Sequence, residues 1–475
     1  MQNRLKELKH PIYQIVEKAA DELQVPAYAV GGVVRDIFLN RNSKDIDILA
    51  VGSGIDLATA AANEIFPKPE VHLYKNFGTA QFTYMDSIIE FVGARKESYS
   101  RDSRKPVVEN GTLQDDLNRR DFTINAMAVG LNGPYKNQLI DVFGGIDDLL
   151  AKIIRTPLNP DITFSDDPLR MLRAVRFASQ LNFTIHPDTY EAIKRNVERL
   201  NIISKERIVE EFNKILLSRK PSYGIKMLND TGLLSIFLPQ LLNLKGVEYL
   251  DGRGHKDNWL HTLEVVDKVA MVSGNLWLLW AALLHDIAKP ATKKYDPQTG
   301  WSFHGNEFIG SKMVKSIFHN LKMPANEKMR YVQKMVLLHL RPIALVEDVI
   351  TDSAVRRLLF DAGDDVDDLM LLCEADVTSK NPEKVRRCLD NFAKVRQKMK
   401  EIEEKDRIRN WQPPVDGLEI MQTFNLQPCH QVGVIKNAIR EAILDGMIEN
   451  NHDAAYHFML KEAAKLGLTP VNSAE

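Results

Sequence analysis

Asp45 and Asp47 are separated by one residue in the run KDIDIL. In an extended strand, residues two apart point to the same face, so these carboxylates project side by side. Two carboxylates that close repel unless a divalent cation neutralises them, and hard oxygen ligands suit Mg2+. Upstream, a short apolar run at 28–30 leads into Gly31 and Gly32, and a helical pattern follows at 33–39. Glycines let backbone N–H groups approach a ligand with no Cβ in the way, and a helix start favours phosphate. A phosphate cradle beside a paired-carboxylate metal site implies phosphoryl or nucleotidyl transfer. Glu90, in a later β-patterned run, could add a third carboxylate, although a surface glutamate is the more ordinary outcome. A lone Asp-x-Asp is most often a solvated strand edge. The weight here comes from its company.

That company includes Arg119, Arg120, Asp121 and Asn125 in NRRDFTINAMA. Arginine grips phosphate in a fork geometry, and Asp121 and Asn125, four apart, are expected to share one helical face. A helix is predicted over 166–181, capped by Ser165 with both acids in its first turn. It carries Asp167, Arg170, Arg173 and Arg176 at steps of three. Each step rotates about 300°, so the row drifts ~60° per step. Asp167 and Arg170 are expected to stay neighbours while Arg176 turns to the opposite side. The plain alternative for the pair is a surface i,i+3 bridge worth ~0.2–0.5 kcal/mol.

A second constellation lies between 255 and 376. His261 sits in a helical pattern, and His285 and Asp286 end a strongly apolar helix at 276–287. His304, Glu307 and His339 follow, and Asp376 closes another helical stretch. Imidazole and carboxylate directed into a helical core suit a transition metal or Mg2+/Mn2+. A single buried histidine is usually a satisfied core residue, but burying adjacent His and Asp without partners would be costly.

The elements that must position these residues begin with a helical pattern over 1–25 and a helix at 56–66. Strands are expected at 71–75, 79–85 and 88–92. Strands mixed with helices define an α+β head. Residues 94–117 have few apolar positions and are read as a long polar loop. A Gly-Gly turn at 144–145 precedes another helix, and from 166 onward the pattern is almost entirely helical. Domain boundaries are placed at 1–150, 151–225, 226–400 and 401–475, with a linker at 411–414.

The 475 residues allow two to four domains. No run approaches ~18 consecutive apolar residues, so no membrane span is expected. Cys373, Cys388 and Cys429 lack CxxC spacing and suggest no disulfide framework, which fits a cytoplasmic setting. A net charge of −2 is not that of a general polyanion binder. Locally, residues 170–220 hold 11 Lys/Arg against 6 Asp/Glu, and residues 384–409 hold 10 against 5. Such basic stretches are footprints for nucleic acid or simply solvated helix faces.

Taken together, GGVVRD with DID, RRDFTINAMA, DVFGGIDDL, DDPLRMLRAVRFA and SKERIVEEFNKIL, with the spaced His…His-Asp…Asp set, resemble one family. The sequence is similar to class II tRNA nucleotidyltransferases, the CCA-adding enzymes, in the form with a C-terminal HD domain. The resemblance spans almost the whole chain. It implies a small mixed-sheet head followed by an all-α neck, an HD-type helical body and a helical tail. It also implies template-independent addition of CCA to the tRNA 3′ end from CTP and ATP.

In this resemblance Asp45 and Asp47 hold two Mg2+ ions, while Gly31, Gly32, Arg35 and Arg120 line the triphosphate. Asp121 accepts from the ribose hydroxyl, with Asn125 beside it. Asp167 and Arg170 read the incoming base, with Arg173 and Arg176 in the same row. Cytosine and adenine each place an amino group beside an acceptor, so an Asp/Arg pair selects them over guanine and uracil. The polar stretch at 95–111 corresponds to a flexible loop that accompanies the switch from C to A addition. His261, His285, Asp286 and Asp376 would hold a second divalent metal in the HD domain. Two departures stand out: Asn306 replaces a histidine of the usual HGHE run, which weakens the case for a second HD metal, and Pro428-Cys429-His430 replaces a turn in the tail. Alternatives are a poly(A), CC-only or A-only transferase, or an HD phosphohydrolase whose head only grips RNA. The partners expected are the tRNA acceptor arm and 3′ end, CTP and ATP, with no membrane, for a monomer or homodimer.

Overall fold

A computed structural model describes residues 8–75, 78–100, 103–347, 351–379, 381–406 and 411–471, with only the backbone described over 96–108. The chain forms two compact units, residues 1–239 and 240–475.

The first unit opens with α1 (Ile12–Glu22) and is built on a seven-stranded sheet of order β3-β4-β5-β2-β1-β8-β9. The strands are β1 (Ala27–Val30), β2 (Asp45–Ala50), β3 (His72–Tyr74), β4 (Thr79–Tyr84), β5 (Ser87–Gly93), β8 (Ala128–Gly130) and β9 (Leu139–Ile140). Only β2 and β5 pair in parallel; the other neighbours are antiparallel. Helix α2 (Gly32–Phe38) follows β1, and α3 (Gly54–Asn63) follows β2.

Alternation along β2 decides what the sheet does. Ile46, Ile48 and Ala50 enter the main apolar core with Val16, Ala19 and Ala20 of α1, Leu57, Ala58 and Ala61 of α3, and Phe82, Ile89 and Phe91. The opposite face carries Asp45 and Asp47, with Leu49 packed beside Tyr28, Leu117 and Ala128. One face is therefore a dry core, and its reverse, one residue out of phase, presents the carboxylates.

The stretch read as a polar loop is instead a two-stranded antiparallel ribbon, β6 (Arg95–Ser100) with β7 (Ser103–Asn110), followed by α4 (Leu113–Asn118). A ribbon pairs its backbone groups internally, so the sequence need not show an apolar face. A capping box between Thr112 and Asp115 starts α4. Residues 101–102 and the turn they would make lie outside the described residues, as do residues 1–7 of the N-terminal helical pattern.

After α5 (Gly145–Ala151) the unit becomes helical. The helix expected over 166–181 starts later, as α7 (Leu169–Leu181), and a separate helix, α6 (Pro160–Asp166), ends just before it. Pro168 explains the break. A residue before proline is pushed out of the helical region, and Asp167 is extended, with φ −136° and ψ 97°. Ser165 therefore lies in the last turn of α6 and caps nothing in α7; Asp167 accepts from the Leu169 N–H at 3.1 Å instead. Helices α8 (Pro187–Asn196), α9 (Lys205–Leu216), α10 (Pro221–Asp230) and α11 (Leu233–Phe237) complete the unit. Phe122 meets Phe177 of α7 edge to face at 5.8 Å, and Phe212 meets Phe237 at 5.3 Å.

The second unit is almost wholly helical. Its central helices are α12 (Asn258–Val272), the apolar α13 (Leu276–Leu284), the short α14 (Lys289–Thr292), α15 (Asn306–Asn320) and α16 (Glu327–Leu338). Then come α17 (Leu340–Glu347), α18 (Asp352–Ala362), α19 (Val366–Asp376) and α20 (Pro382–Asp406). Three tail helices, α21 (Gly417–Phe424), α22 (His430–Leu444) and α23 (His452–Lys465), close on their own core of Ile420, Ile435, Ile439 and Met459.

Gly54, the first residue of α3, tests the packing of helix on sheet. A Cβ there would lie 2.7 Å from the Gly93 nitrogen and 2.7 Å from the Val92 carbonyl carbon. Both are backbone atoms in β5, so the helix must move. Gly54→Ala is expected to destabilise the protein by about 1–3 kcal/mol, read as a lowered midpoint in thermal or urea unfolding; an unchanged midpoint refutes the close approach.

Candidate functional site

The glycine turn, β2 and the arginine pair converge. Gly31 has φ +74°, a conformation that side chains rarely adopt, and its N–H donates to the Met127 carbonyl at 3.2 Å. A Cβ on Gly31 would lie 2.8 Å from Arg120 Nη1 and 3.4 Å from Asp47 Oδ2. Glycine thus leaves room for the Arg120 guanidinium to lie over the turn, next to the Asp47 carboxylate. Asp45 is exposed and Asp47 half-buried. Glu90 is the register partner of Asp47 in the parallel β2/β5 pair. It is half-buried and belongs to the carboxylate cluster, contrary to the surface role expected of it. Burial pushes the Asp47 carboxyl up to about 6. Arg120 opposes this, while Glu90, Asp45 and Asp116 add to it.

Asp116 is fully buried and was missed in the sequence. Its Oδ1 accepts from Arg119 Nε at 2.8 Å and Nη2 at 2.5 Å. Its Oδ2 accepts from Arg120 Nε at 3.1 Å and Nη2 at 2.9 Å. One carboxylate holds both arginines in forks. The signal was present as the i,i+3 and i,i+4 spacing of LQDDLNRR.

Asp121 and Asn125 meet as expected, but across a 3-10 turn (Thr123–Asn125) instead of an α-helical face. Asn125 Nδ2 donates to Asp121 Oδ1 at 3.0 Å, and Arg173 binds Asp121 Oδ2 through Nε at 2.8 Å and Nη2 at 2.6 Å. Burial alone would raise the Asp121 carboxyl; Arg173 and Asn125 outweigh it and bring it down to about 2. Arg35 Nη1 donates to Asn125 Oδ1 at 2.8 Å and its Nε to Asp36 Oδ1 at 2.9 Å. The sequence Asp36–Arg35–Asn125–Asp121–Arg173 is thus one continuous alternation of acceptor and donor.

The row on α7 divides. Arg170 Nη2 donates to the Arg119 carbonyl at 2.6 Å, tying α7 to the arginine pair. Asp167 caps α7 and has Arg207 at 3.8 Å, so the direct Asp167–Arg170 side-chain pair is replaced by separate partners for each. Arg176 is buried against Glu211 at 3.0 Å, a second partner missed in the sequence, and lies 4.2 Å from the Phe177 ring. Burial lowers it to about 10. Its guanidinium is enclosed among the helices with Glu211 as its acid partner.

In the second unit, His261 Nε2, His285 Nε2, Asp286 Oδ2 and Asp376 Oδ1 converge. His261 lies 2.8 Å from Asp376 and 3.4 Å from Asp286. His285 lies 3.2 Å from Asp286, 3.6 Å from Asp376 and 3.3 Å from His261. His285 Nδ1 contacts the Ala282 carbonyl at 2.8 Å, which fixes the ring with Nε2 facing the cluster. Burial would lower the His285 imidazole, but Asp286 and Asp376 raise it to about 10, and both carboxyls fall below the usual range. The carboxylates demand a cation. A proton on His285 and the ammonium of Lys289, 2.6 Å from Asp286, supply it where no metal does. This donor set fits one divalent ion. His339 is buried with Nε2 3.8 Å from Asp286 Oδ1; His304 is exposed and Glu307 half-buried. Asn306 is buried and donates to the Phe303 carbonyl at 3.0 Å.

The head therefore has the parts of an enzyme that transfers a nucleotidyl group: paired carboxylates, a glycine turn and forked arginines held by buried acids. Comparisons with known proteins agree. Residues 27–155 match the Poly A polymerase head domain, 182–244 the probable RNA and SrmB-binding site of polymerase A, and 258–380 the HD domain. The chain is 30% identical over 442 residues to an A-adding tRNA nucleotidyltransferase of Deinococcus radiodurans, covering 90% of this chain and 94% of that protein. It is 36% identical over 259 residues to a CCA-adding enzyme of Bacillus velezensis, covering 52% of this chain and 61% of that one. A further A-adding relative from Geobacter sulfurreducens is 37% identical over 53% of this chain, which spans only 29% of that longer protein. A solved tRNA nucleotidyltransferase complexed with a primer tRNA and an incoming ATP analogue superposes with a TM-score of 0.57. It shares 26% identity and covers 80% of this chain and 99% of its own. The chain belongs to the tRNA nucleotidyltransferase family, with an α+β head and an HD domain. Both domain types use divalent metals. Among the described residues, no helix is long and apolar enough to cross a membrane.

Two predictions follow from the head. A carboxyl raised from 3.8 to about 6 corresponds to at most ~3 kcal/mol, and partial exposure reduces this to about 1 kcal/mol. The penalty is absent below about pH 4, where folded and unfolded states both hold the proton, and complete above about pH 6. In EDTA, Asp47→Asn should therefore melt about 2–4 °C above the wild type at pH 7.5 and level with it at pH 4; a pH-independent difference would sink the assignment. Asp116→Asn should lower kcat/KM for nucleotide addition about 10–100-fold by loosening both arginines. Asp115→Asn, which disturbs the α4 cap, should cost about 0.5–2 kcal/mol of stability and little rate. Equal kinetic effects of the two variants would count against a positioning role for Asp116.

Proposed function

We propose that this chain completes the 3′ end of tRNA by template-independent addition of CCA from CTP and ATP, releasing pyrophosphate. The observation that carries the reading is that Asp47 and Arg120 both face the same point at Gly31, that Asp116 holds Arg120 and Arg119 together, and that the Arg119 carbonyl accepts from Arg170. Metal-binding carboxylates, a triphosphate grip and a base-facing helix are thereby held as one body. Asp45 and Asp47 would hold Mg2+, with Glu90 beside them. Bound there, the ions supply Lewis-acid stabilisation of the reacting phosphate and lower the pKa of the attacking 3′-hydroxyl.

The protein's own part is placement and charge. Gly31, Gly32, Arg35 and Arg120 receive the triphosphate, and Asp121, held ionised by Arg173, accepts from the ribose hydroxyl. Asn125 orients Asp121. Asp167 and Arg170 stand at the start of α7, with acceptor and donor presented separately, as the amino group and ring acceptor of cytosine or adenine require. Residues 1–150 would act as head, 151–225 as neck, 226–400 as HD body and 401–475 as tail. The HD centre would take one divalent ion on His261, His285, Asp286 and Asp376. The partners are the tRNA acceptor arm and the two triphosphates, in the cytoplasm.

A second reading is addition of the terminal A alone. It is favoured by the name of the Deinococcus radiodurans relative, which matches this chain over nearly its full length. One assay separates the two. Purified protein is given tRNA transcripts ending before C74, after C74 or after C75, with Mg2+ and each labelled triphosphate singly. Full CCA addition requires CTP incorporation on the first two; incorporation only of ATP, on the third, selects the second reading. Asp167→Ala should cost discrimination against UTP and GTP by at least about tenfold, taking ~1–3 kcal/mol for a base-edge contact. Intact discrimination would remove Asp167 from base reading.

A further inference from the structure

Beside Arg35 the first unit holds a cavity of 360 Å³. That lies within the ~300–1,000 Å³ range of small-ligand sites. It is formed where the end of α2 meets the C-terminal ends of α7 and α9. Arg35, Arg41 and Arg219 line it, with Asp36 as its only carboxylate, and its floor is Leu181 and Leu217. Asp36 is already engaged by Arg35. Arg41 and Arg219 are exposed, and among the described residues neither forms an ion pair. This differs from the arginines of the active site, each of which has a buried or half-buried acceptor. Arg119, Arg120 and Arg173 are neutralised by Asp116 and Asp121; here two guanidinium groups stand around a concave surface with no such partner among the described residues.

We propose that this cavity is a second phosphate subsite, which takes a backbone phosphodiester of the tRNA primer, one nucleotide in size. The inference rests on the tRNA reading above. Guanidinium forks match phosphate oxygens, and the aliphatic floor suits the sugar face of one nucleotide. Arg35 links the two places. Its guanidinium reaches Asn125 in the active site, and its Nη2 lies 3.6 Å from where a Cβ on Gly32 would stand. A phosphodiester seated on Arg41 and Arg219 would therefore anchor the RNA one guanidinium away from the glycine turn. The same chemistry could come from a free nucleoside triphosphate, and the experiment separates the two sources.

The test uses the full chain with Arg41→Gln and Arg219→Gln together. Binding of a tRNA primer is measured from 50 to 300 mM salt. We expect the slope of log affinity against log salt to fall in magnitude by about 1. KM for tRNA should rise about 3–10-fold, with KM for ATP unchanged. The charge-keeping pair R41K/R219K should restore most of the slope. In the wild type, bound tRNA should shield Arg41 and Arg219 from phenylglyoxal, read by peptide mass, and ATP alone should not; this measurement stands even if the variant folds poorly. An unchanged slope with normal transfer overturns the subsite and leaves the family activity intact. A rise in KM for ATP alone, or shielding by ATP alone, assigns the cavity to free nucleotide and also overturns it. A reduced slope in the double variant, with a wild type that binds tRNA but transfers no nucleotide, would instead uphold the subsite while refuting the activity.

Discussion

The head depends on how few carboxylates hold its arginines. Arg119 and Arg120 share Asp116, and Arg173 rests on Asp121. A long cationic side chain free in solution loses ~2 kcal/mol of rotamer freedom when a ligand fixes it. Here that ordering has already happened during folding. The buried acids also make the guanidinium groups tolerable next to one another: Arg35, Arg173 and Arg176 all approach the Phe177 ring, at 5.2, 5.5 and 4.2 Å. Without counter-charges, three cations around one ring would repel. With Asp36, Asp121 and Glu211 as partners, the three are held in fixed positions around it.

The metal end obeys the opposite logic. Asp45, Asp47 and Glu90 gather on one face with no equivalent set of cations; Arg120 alone opposes their repulsion at Asp47. The head is therefore tense where a cation is to bind and relaxed where an anion is to bind. The HD centre solves the same problem differently. Its two carboxylates sit among histidines that can carry a proton and beside Lys289, so the cluster stays near neutral without metal. A metal entering there would have to displace a proton and loosen an ammonium, whereas a divalent ion at Asp45 and Asp47 would mainly relieve repulsion. The two sites should consequently differ in how steeply metal binding depends on pH.

Much of this was legible in the residues. Strand alternation placed Asp45 and Asp47 on one face, and glycines before a helical pattern placed the turn. Adjacent His285 and Asp286 after an apolar helix placed the HD cluster. What escaped was decided by contacts across the fold or by single backbone constraints. Glu90 reads as an ordinary alternating polar residue until β5 pairs in parallel with β2 in a register that sets it beside Asp47. Pro168 was visible, yet Ser165 before two acids read as a helix start, so the helix was begun at 166 where it starts at Leu169. The ribbon β6/β7 has no apolar stripe to betray it, because it pairs with itself.

On the base-reading proposal, the break at Pro168 bears on specificity. In an unbroken helix, Asp167 and Arg170 would sit one turn apart and pair with each other, each satisfying what the other needs. With Asp167 in an extended linker residue, its carboxylate caps α7 while Arg170 reaches to the Arg119 carbonyl. Acceptor and donor are then held by different anchors, one on the helix start and one on the arginine segment of the head. A base edge could bind between them without first breaking an internal ion pair.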